Sequence, residues 1–503
     1  MKRSFDRSLA ALILATTVFS SAGADVNSLK SPWENSVVQL EVSRKQYDYF
    51  QPWTKRTKTT QETGLILNGH EILTTADEMF DRTLVRVQKG GRGKWWNGDV
   101  RWIDYHANLA IVAVADEAFW PSVKAVELQD SKLTPDQLQI LRWREGKLES
   151  RKAEFNQFTV DNGRLSFVAH LQIEVSSEVQ GIGWGEPIIS GSKIVGLASQ
   201  KEGEKCTAIP AAFIRPILDA RRDGSYRGLG YFDFYWQPAE NPASLAFLKL
   251  EGEPRGVIVI EVPARASEVA VLKAHDVLLQ VDGFDIDIQG DYQDPDYGPV
   301  SLEGLSTRRK WAGDNVKLKV WREGRALEVN YRLPKADYSR SLVPDAAFDQ
   351  DPEYLIVGGL LFQPLNDPFL QGWGADWKRR SPFRLYYYNN QQPTPERPAL
   401  VLLTQVLPDV YNIGYWDLRH LVVDRVNGQK ISRLPELREA LTKPVNGFHI
   451  VEFMQSDSLR RLVLDANQEP AATQRVLQQF RITKEFYFAT PPATNNPTAQ
   501  LSR

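Results

Sequence analysis

Apolar residues in the first half of the chain occur in short alternating or continuous runs, a pattern typical of β-strands. Val37–Val42 begins apolar and then alternates, whereas Leu109–Val114 is continuously apolar and predicts a fully buried strand. Two further runs flank Asn68-Gly69, which is a strong hairpin-turn signal. Many short strands joined by turns predict a mainly β, double-barrel domain over residues 31–222, closed by a helix from Ala211 to Arg222.

Two later segments share one strand pattern. We predict domains at residues 226–335 and 351–465, because Asp276–Gly283 in the first parallels Leu421–Gly428 in the second. Each also contains a predicted helix, at Ala266–Leu272 and at Arg433–Thr442. The two segments are therefore interpreted as divergent copies of one α/β domain. Residues 466–503 are predicted to be an extension whose Pro- and Asn-rich tail is disordered.

The N-terminus has the organisation of a secretory signal peptide. Lys2 and Arg3 precede an apolar run from Leu9 to Phe19, and Ala22-Gly23-Ala24 then supplies small residues for cleavage before Asp25. We expect residues 1–24 to be removed and the mature protein to be exported to a bacterial periplasm. Retention of the segment as an anchor is the alternative.

Charge and cysteine content exclude several functional classes. The net charge of -2 gives no basic footprint for a nucleic-acid partner. Cys206 is the only cysteine, so an internal disulfide and a cysteine-based metal site are both excluded. The histidines show no metal-binding spacing such as His-x-x-x-His with an intervening Glu. We therefore expect no metal and no cofactor.

One glycine-rich loop carries the strongest chemical signal. Gly181–Pro187 has the form of a serine-protease nucleophile loop, with Trp184 at the place of the serine. Together with Pro52–Arg56, Ile194–Leu197 and Ile356–Phe362, it makes the chain resemble the HtrA/Deg proteases. The resemblance is to the long, plant-type Deg branch, and it implies a chymotrypsin/trypsin-like double β-barrel followed by two PDZ domains.

The resemblance also identifies the three catalytic positions, and each carries a different residue here. The family's histidine aligns with Asp77, its aspartate with Asn108 and its serine with Trp184. An indole offers no nucleophilic oxygen or sulfur, and Asn108 has no charge to stabilise an imidazolium. Ile182 further replaces a glycine of the loop that supplies the oxyanion hole. These substitutions imply a catalytically degenerate pseudoprotease.

Two alternatives remain for this loop. Trp184 could be a packing residue of an unrelated barrel, and Asp77 an ordinary carboxylate. A relocated nucleophile could instead preserve activity, for which Ser190 and Ser192 lie nearby in a predicted hairpin turn. His70 and His106 are predicted to be surface residues.

The resemblance further implies peptide binding by the PDZ domains. Such a domain adds an extended C-terminus to a sheet edge and holds its carboxylate with loop amides. The matching residues form a single loop: Arg227, Gly228, Leu229, Gly230 and Tyr231. An ordinary glycine turn before a strand is the alternative. Proteins or peptide C-termini are therefore the expected partners.

Aromatic residues near the N-terminus are candidate subunit contacts, because the family assembles as trimers or multiples of trimers. The candidates are Trp33 and an aromatic cluster among basic residues: Tyr47, Tyr49, Phe50 and Trp53. We expect a homo-oligomer or an assembly with a paralogue, with simple loop packing as the alternative.

Three functions follow from these interpretations. The chain is predicted to be an inactive HtrA/Deg-like periplasmic protein that acts as a scaffold, adaptor or chaperone-like subunit. It could instead be a serine endopeptidase with a non-standard nucleophile, or a structural subunit of an envelope complex.

Overall fold

The computed structural model describes residues 31–129, 137–177, 183–202, 205–263, 271–455 and 460–489. The predicted signal peptide, most of the predicted helix at Ala266–Leu272 and the tail from residue 490 lie outside these ranges. In the described part of the chain, no helix is both long and apolar enough to span a membrane.

The first barrel is a closed six-stranded sheet with the strand order β1-β2-β3-β6-β5-β4. Its strands are β1 (Val37–Tyr47), β2 (Lys55–Leu67), β3 (Glu71–Thr75), β4 (Arg82–Gln88), β5 (Trp95–Asp104) and β6 (Leu109–Ala113). Alternate residues of β1, such as Val38 and Leu40, point into the barrel and pack with Ile72 and Val112. The predicted hairpin at Asn68-Gly69 joins β2 to β3. A 3-10 helix at Glu117–Ser122 follows the barrel.

The second barrel is also closed, with the strand order β10-β11-β12-β9-β8-β7. Its strands are β7 (Leu138–Arg144), β8 (Lys147–Asn162), β9 (Ala169–Ser176), β10 (Pro187–Ser190), β11 (Lys193–Glu202) and β12 (Lys205–Pro210). Helix α1 (Ala211–Asp223) follows, as predicted, and ends at Gly224 in the left-handed conformation. The buried side of α1, including Phe213 and Ile217, shares one core with Leu109 of the first barrel.

A middle unit follows the barrels and is built on a sheet with the order β13-β14-β15-β19-β20. Its elements are β13 (Tyr235–Pro238), α2 (Pro242–Phe247), β14 (Val257–Glu261), β15 (Val277–Val281), β16 (Phe284–Asp285), β17 (Asp291–Asp294), β18 (Gly298–Ser301), β19 (Asn315–Arg322) and β20 (Arg325–Arg332). Two 3-10 helices lie at Leu302–Ser306 and Tyr338–Arg340. The first of these and β18 pack against β8 and β9 of the second barrel.

The C-terminal unit has the strand order β27-β26-β24-β23-β22-β21-β28. Its elements are β21 (Tyr354–Val357), β22 (Leu360–Pro364), α3 (Asp367–Gln371), α4 (Trp377–Arg380), α5 (Phe383–Tyr388), β23 (Val401–Val406), β24 (Leu421–Val426), β25 (Gln429–Lys430), α6 (Leu434–Leu441), β26 (Phe448–Phe453), β27 (Arg461–Asp465), α7 (Glu469–Gln479) and β28 (Phe486–Tyr487). A 3-10 helix lies at Val410–Asn412.

The two later units repeat one topology. Strands β22-β23-β24-β26-β27 correspond in order and connection to β13-β14-β15-β19-β20. The extension that we predicted to begin at residue 466 needs correction, because its first part belongs to the C-terminal unit. Val476 of α7 is buried in one core with Leu361 of β22, and β28 pairs with β21.

Candidate functional site at the junction of the barrels

Two of the three predicted catalytic positions meet where β3 ends and β6 begins. These strands pair so that Thr75 lies opposite Leu109, which brings Asp77 beside Asn108. Asn108 Nδ2 donates to Asp77 Oδ2 over 3.1 Å, and Asn108 Oδ1 accepts the backbone amide of Ala76 over 3.0 Å. Asn108 has a φ of 53°, a left-handed conformation that asparagine tolerates better than most residues. Its side chain therefore fixes the position of Asp77.

Arg164 connects this pair to the third position. Its Nη1 donates to Asp77 Oδ1 over 2.8 Å, and its guanidinium carbon lies 3.9 Å from the centre of the Trp184 ring. An Arg at this distance over an indole makes a favourable cation–π contact. Asp77, Asn108, Arg164 and Trp184 thus form one connected group, which we call the Asp77–Trp184 network. Arg164 is the member that sequence reasoning missed, because it lies in the β8–β9 loop and matches no motif.

The carboxylates at this site are held away from water. The Asp77 side chain is fully buried, and burial raises its pKa, although the charge and hydrogen bond of Arg164 oppose the shift. Glu62 is also buried, and burial together with the charge of Asp77 raises its pKa well above the usual range. Glu62 accepts the backbone amide of Glu78 over 2.9 Å. Since Arg164 neutralises Asp77, the network needs no other cation.

Hydrogen bonds to neighbouring strands hold the backbone of the Trp184 loop. The carbonyl of Trp184 accepts the amide of Thr63 over 3.1 Å, and Gly185 donates its amide to Ala198 over 2.9 Å. Gly185 has a φ of 70°, and a Cβ there would lie 2.5 Å from the Thr63 carbonyl oxygen, so glycine is required. Ile182, for which we predicted a damaged oxyanion hole, lies outside the described residues.

The alternative nucleophiles lie apart from this network. Ser190 ends β10 and is joined to β11 through Gly191, as expected for a hairpin turn. His70 stacks on Trp120, with ring centres 4.6 Å apart. His106 is mostly buried rather than on the surface, and its Nδ1 lies 2.9 Å from Ser166 Oγ. Burial lowers the pKa of His106, which favours the neutral imidazole.

The predicted peptide-binding loop lies against the barrels. Leu229 and Tyr231 are buried in the same core as Leu109. Arg227 donates to the Ala312 carbonyl over 2.8 Å and pairs with Asp314. Gly228 and Leu229 accept the amides of Ala312 and Ala336 through their carbonyl groups, and Gly230 forms a β-bridge with Lys335. The loop is therefore anchored within the chain, and its binding of a carboxylate stays a prediction.

In the C-terminal unit, the corresponding loop is a tight turn. Gly358 and Gly359 both have positive φ and join β21 to β22 directly. A PDZ ligand adds as a strand to the edge of the sheet, and in this unit β21 already pairs with that edge of β22. Helix α6 lies against both strands. The chain's own segment thus occupies the edge where a peptide would add.

The predicted oligomer contacts have partners within the chain, in agreement with the alternative of loop packing, and their contact with another subunit stays a prediction. Phe50 packs edge-on against Trp373, with ring centres 4.8 Å apart. Trp53 packs against Tyr354 in the same manner, at 6.0 Å. The Tyr49 carbonyl accepts Gln363 Nε2 over 3.0 Å.

The other two candidates also have partners in the chain. Tyr47 donates its hydroxyl to Asp351 over 2.6 Å, and Trp33 packs against the core between the barrels. A sequence pattern marks such side chains as contact residues but does not say whether the partner belongs to the same chain.

A cleft of about 1010 Å³ lies between the first barrel and the C-terminal unit. Arg164 and Ser166 reach it from one side, and Phe348 and Gln371 line other walls. Among the described residues, no group of three or more His, Cys, Asp or Glu side chains could hold a metal ion.

Comparison with known proteins agrees with this architecture. The family model of a PDZ domain matches residues 343–486. Putative protease Do-like 13 of Arabidopsis thaliana is 25% identical over 458 residues, which cover 89% of this chain and 87% of the relative. Putative protease Do-like 3, mitochondrial, of the same organism is 25% identical over 479 residues, which cover 93% of this chain and 82% of the relative. A solved structure, HtrA-type protease AlgW with decapeptide, is 13% identical with a TM-score of 0.44, covering 60% of this chain and 95% of its own.

The two closed barrels and the PDZ match define the class: a mainly β protein with a double β-barrel domain and a PDZ domain, as the resemblance to HtrA/Deg proteases predicts. The similarity to Do-like proteases along most of both chains supports the HtrA/Deg-type protease family. The PDZ match lies on the C-terminal unit, and its wider range agrees with the inclusion of α7. That the middle unit is a second PDZ domain stays a prediction.

Proposed function

We propose that this protein is a proteolytically inactive member of the HtrA/Deg group that binds other proteins. The observation that carries the proposal is the Asp77–Trp184 network. Peptide cleavage by this fold requires a nucleophile, a base and a group that orients the base. Trp184 offers no nucleophile, and Asp77 is committed to Arg164 and Asn108. The relatives are named as proteases, so the loss of activity is proposed for this chain alone.

The proposed role is that of a scaffold, adaptor or chaperone-like subunit in the periplasm. Export rests on the signal-like sequence of residues 1–24, and peptide binding on the PDZ match. Because β21 covers the edge of β22, the middle unit is the better candidate for capturing an extended peptide. Assembly into a homo-oligomer, or with an active paralogue, belongs to the same proposal.

Incubation of the mature chain with unfolded casein tests the inactivity. We expect no cleavage and no labelling by a fluorophosphonate probe. Trp184→Ser should also be inactive, because a serine alone gains neither a histidine base nor an orienting acid. Cleavage by the purified wild-type chain that Trp184→Ser or Trp184→Ala abolishes would refute the proposal.

The protein-binding role needs a separate measurement. Affinity purification of the chain from its native envelope, followed by mass spectrometry, should recover partner proteins. Suppression of the aggregation of an unfolded client would indicate a chaperone-like subunit, whereas one partner at fixed stoichiometry would indicate a structural subunit. Recovery of no partner and no effect on aggregation would contradict both.

A second candidate is a hydrolase with a relocated nucleophile, favoured by the contact between Ser166 Oγ and His106 Nδ1. A neutral histidine could accept the serine proton, and Ser166 borders the cleft. Probe labelling that Ser166→Ala abolishes, and that Ser190→Ala leaves unchanged, would support this candidate. Absence of labelling in the folded wild-type chain would exclude it.

A further inference from the structure

The segment that leads into the C-terminal unit is bonded to the first barrel through Asp349. Its carboxylate accepts the backbone amide of Asp81 over 2.8 Å, and it also accepts the Tyr105 hydroxyl. Arg82 lies 3.4 Å from the same carboxylate. These three donors all belong to the first barrel, so Asp349 fixes this segment to it.

The residues on either side of Asp349 add to this attachment. Phe348 packs on Tyr105 and Phe80, with ring centres 4.5 and 5.1 Å apart. Asp351 accepts Lys45 Nζ over 2.8 Å and lies 3.4 Å from Lys55 Nζ. Residues 348–351 are thus held by an apolar contact and by charge-assisted hydrogen bonds, which are stronger than hydrogen bonds between neutral groups.

Opposite this attachment, the C-terminal unit contacts the first barrel through the loop between β1 and β2, where Trp53 packs on Tyr354. The carbonyls of Tyr49 and Phe50 accept side-chain amides of Gln363 and Gln405, and Phe50 packs on Trp373. The cleft lies between these contacts and residues 345–348. Separation of the C-terminal unit from the first barrel would therefore widen the cleft.

We propose that residues 348–351 form a latch that holds the C-terminal unit against the first barrel and that opens the cleft when released. The proposal concerns only the relation between two parts of the chain, and it is independent of whether the protein cleaves peptides.

Asp81 makes this latch sensitive to pH. Burial and the negative charge of Asp349 raise the pKa of Asp81 to about 7. Its Oδ1 is buried and has no hydrogen-bond partner. The charged and titratable groups that face Asp81 are Asp349 from the latch, Arg44, Lys45, Tyr47 and Tyr49 from the β1 region, and Tyr105 beyond β5.

The sign of the pH effect follows from linkage. Opening exposes Asp81 and removes Asp349, so the pKa of Asp81 returns towards its usual value near 4. The closed form thus holds a proton that the open form releases, and closure weakens as the pH rises from about 4 to 7. One proton changes the open-to-closed ratio by at most about tenfold per pH unit over that range.

At acid pH, the strength of the latch depends on whether Asp351 stays ionised. Burial alone would raise the pKa of Asp351, but the hydrogen bonds from Lys45 and Tyr47 hold it below the usual range. Its bonds are therefore lost only when the pH falls below that lowered value. The latch should be tightest at mildly acidic pH.

Pulsed electron paramagnetic resonance on the full chain tests the proposal. Spin labels at Thr57→Cys and Gln371→Cys place one probe on each body, at positions that are both exposed. The native Cys206 is buried and should not be labelled. We expect one narrow distance distribution at pH 5.5 and a second, longer population at pH 8.5.

Variants separate the latch from general destabilisation. Asp81→Asn should keep the short distance at both pH values, because its side chain cannot ionise. Asp351→Asn should show the long population at both. If Asp351→Asn does not fold, Lys55→Gln serves instead, since that lysine is half exposed and its loss should shift the population in the same direction.

The matched control is Glu396→Gln, which removes an exposed carboxylate outside the latch and should behave as the wild type. A single distance that is unchanged between pH 5.5 and 8.5 in the wild type would overturn the proposal. So would an Asp81→Asn chain that opens with pH like the wild type.

Discussion

The middle and C-terminal units share a strand order but differ in whether one edge of the sheet is covered by another strand. Among the described residues of the middle unit, β13 pairs with β14 and ends the sheet. In the C-terminal unit, the corresponding β22 is paired on its other side by β21, and β21 in turn by β28. An unpaired edge strand can accept another chain, whereas a covered edge cannot. Two units with the same topology can therefore differ in whether they can bind an extended peptide.

The side chains on the two strands reflect this difference. The first four residues of β22 are buried, whereas three of the four residues of β13 are exposed. On β13, Trp236 Nε1 donates to Glu303 Oε1 over 2.8 Å, which joins this strand to the 3-10 helix at Leu302–Ser306. Among the described residues, the middle unit thus holds its edge strand through a side chain and leaves the outer side without a neighbouring strand, whereas the C-terminal unit covers that side with β21.

The largest expected effect is a difference in core stability between these strands. Leu361→Ala on β22 should lower the free energy of unfolding of the C-terminal unit by about 3 kcal/mol, because Leu361 is fully buried. Tyr235→Ala on β13 should cost less than about 1 kcal/mol, since Tyr235 is 41% exposed. Native-state hydrogen exchange of each unit measures both values. Equal losses would mean that the two edges are equally buried in solution.

A smaller effect concerns the pH dependence of the middle unit. Burial raises the pKa of Glu303 to about 7, although the hydrogen bond from Trp236 opposes the shift. Since a raised carboxyl pKa favours the protonated folded form, stability should fall by about 2 kcal/mol as the pH rises from 4.5 to about 7.

Pulse-labelling hydrogen exchange of the middle unit in urea, at several equilibration pH values, checks this expectation. Glu303→Gln should remove most of the pH dependence, and Glu396→Gln should leave it intact. A Glu303→Gln chain with the pH profile of the wild type would show that another group is responsible.

The smallest expected effect lies at the opposite edge of the C-terminal sheet. The Tyr415 hydroxyl accepts the amide of Val463 over 3.3 Å and donates to its carbonyl over 3.4 Å. Both backbone groups of Val463, on the outer side of β27, are therefore hydrogen-bonded. Tyr415→Phe should cost about 0.5–1 kcal/mol and speed exchange of the Val463 amide. Tyr387→Phe, at a side chain that is 54% exposed, is the control. Unchanged exchange at Val463 would mean that this edge is not protected by Tyr415.

Sequence reasoning predicted the strands because they leave local signals, and it singled out three positions, of which 77 and 108 are in contact in the structure. Alternation and turn residues mark β1 to β3, and the positions 77, 108 and 184 each lie in a recognisable segment. Arg164 left no such signal, because its role depends on a contact across 87 residues of chain. The continuous apolar run of β21 does indicate a buried strand, yet the sequence does not say which edge it covers.

The aromatic loop illustrates the other limit. Tyr47, Tyr49, Phe50 and Trp53 have the composition of an interface, and they do lie in one. The composition of a contact surface is the same whether its partner is another subunit or a distant part of the same chain. Only the three-dimensional arrangement distinguishes the two.

The Asp77–Trp184 network also limits which substitutions its members can tolerate. A serine at 184 would remove the ring on which Arg164 rests, and a histidine at 77 would leave that guanidinium without its anion. Each of these single changes should therefore lower the stability of the fold. The four members of the network, Asp77, Asn108, Arg164 and Trp184, therefore depend on one another, and a change at one alters the contacts of the others.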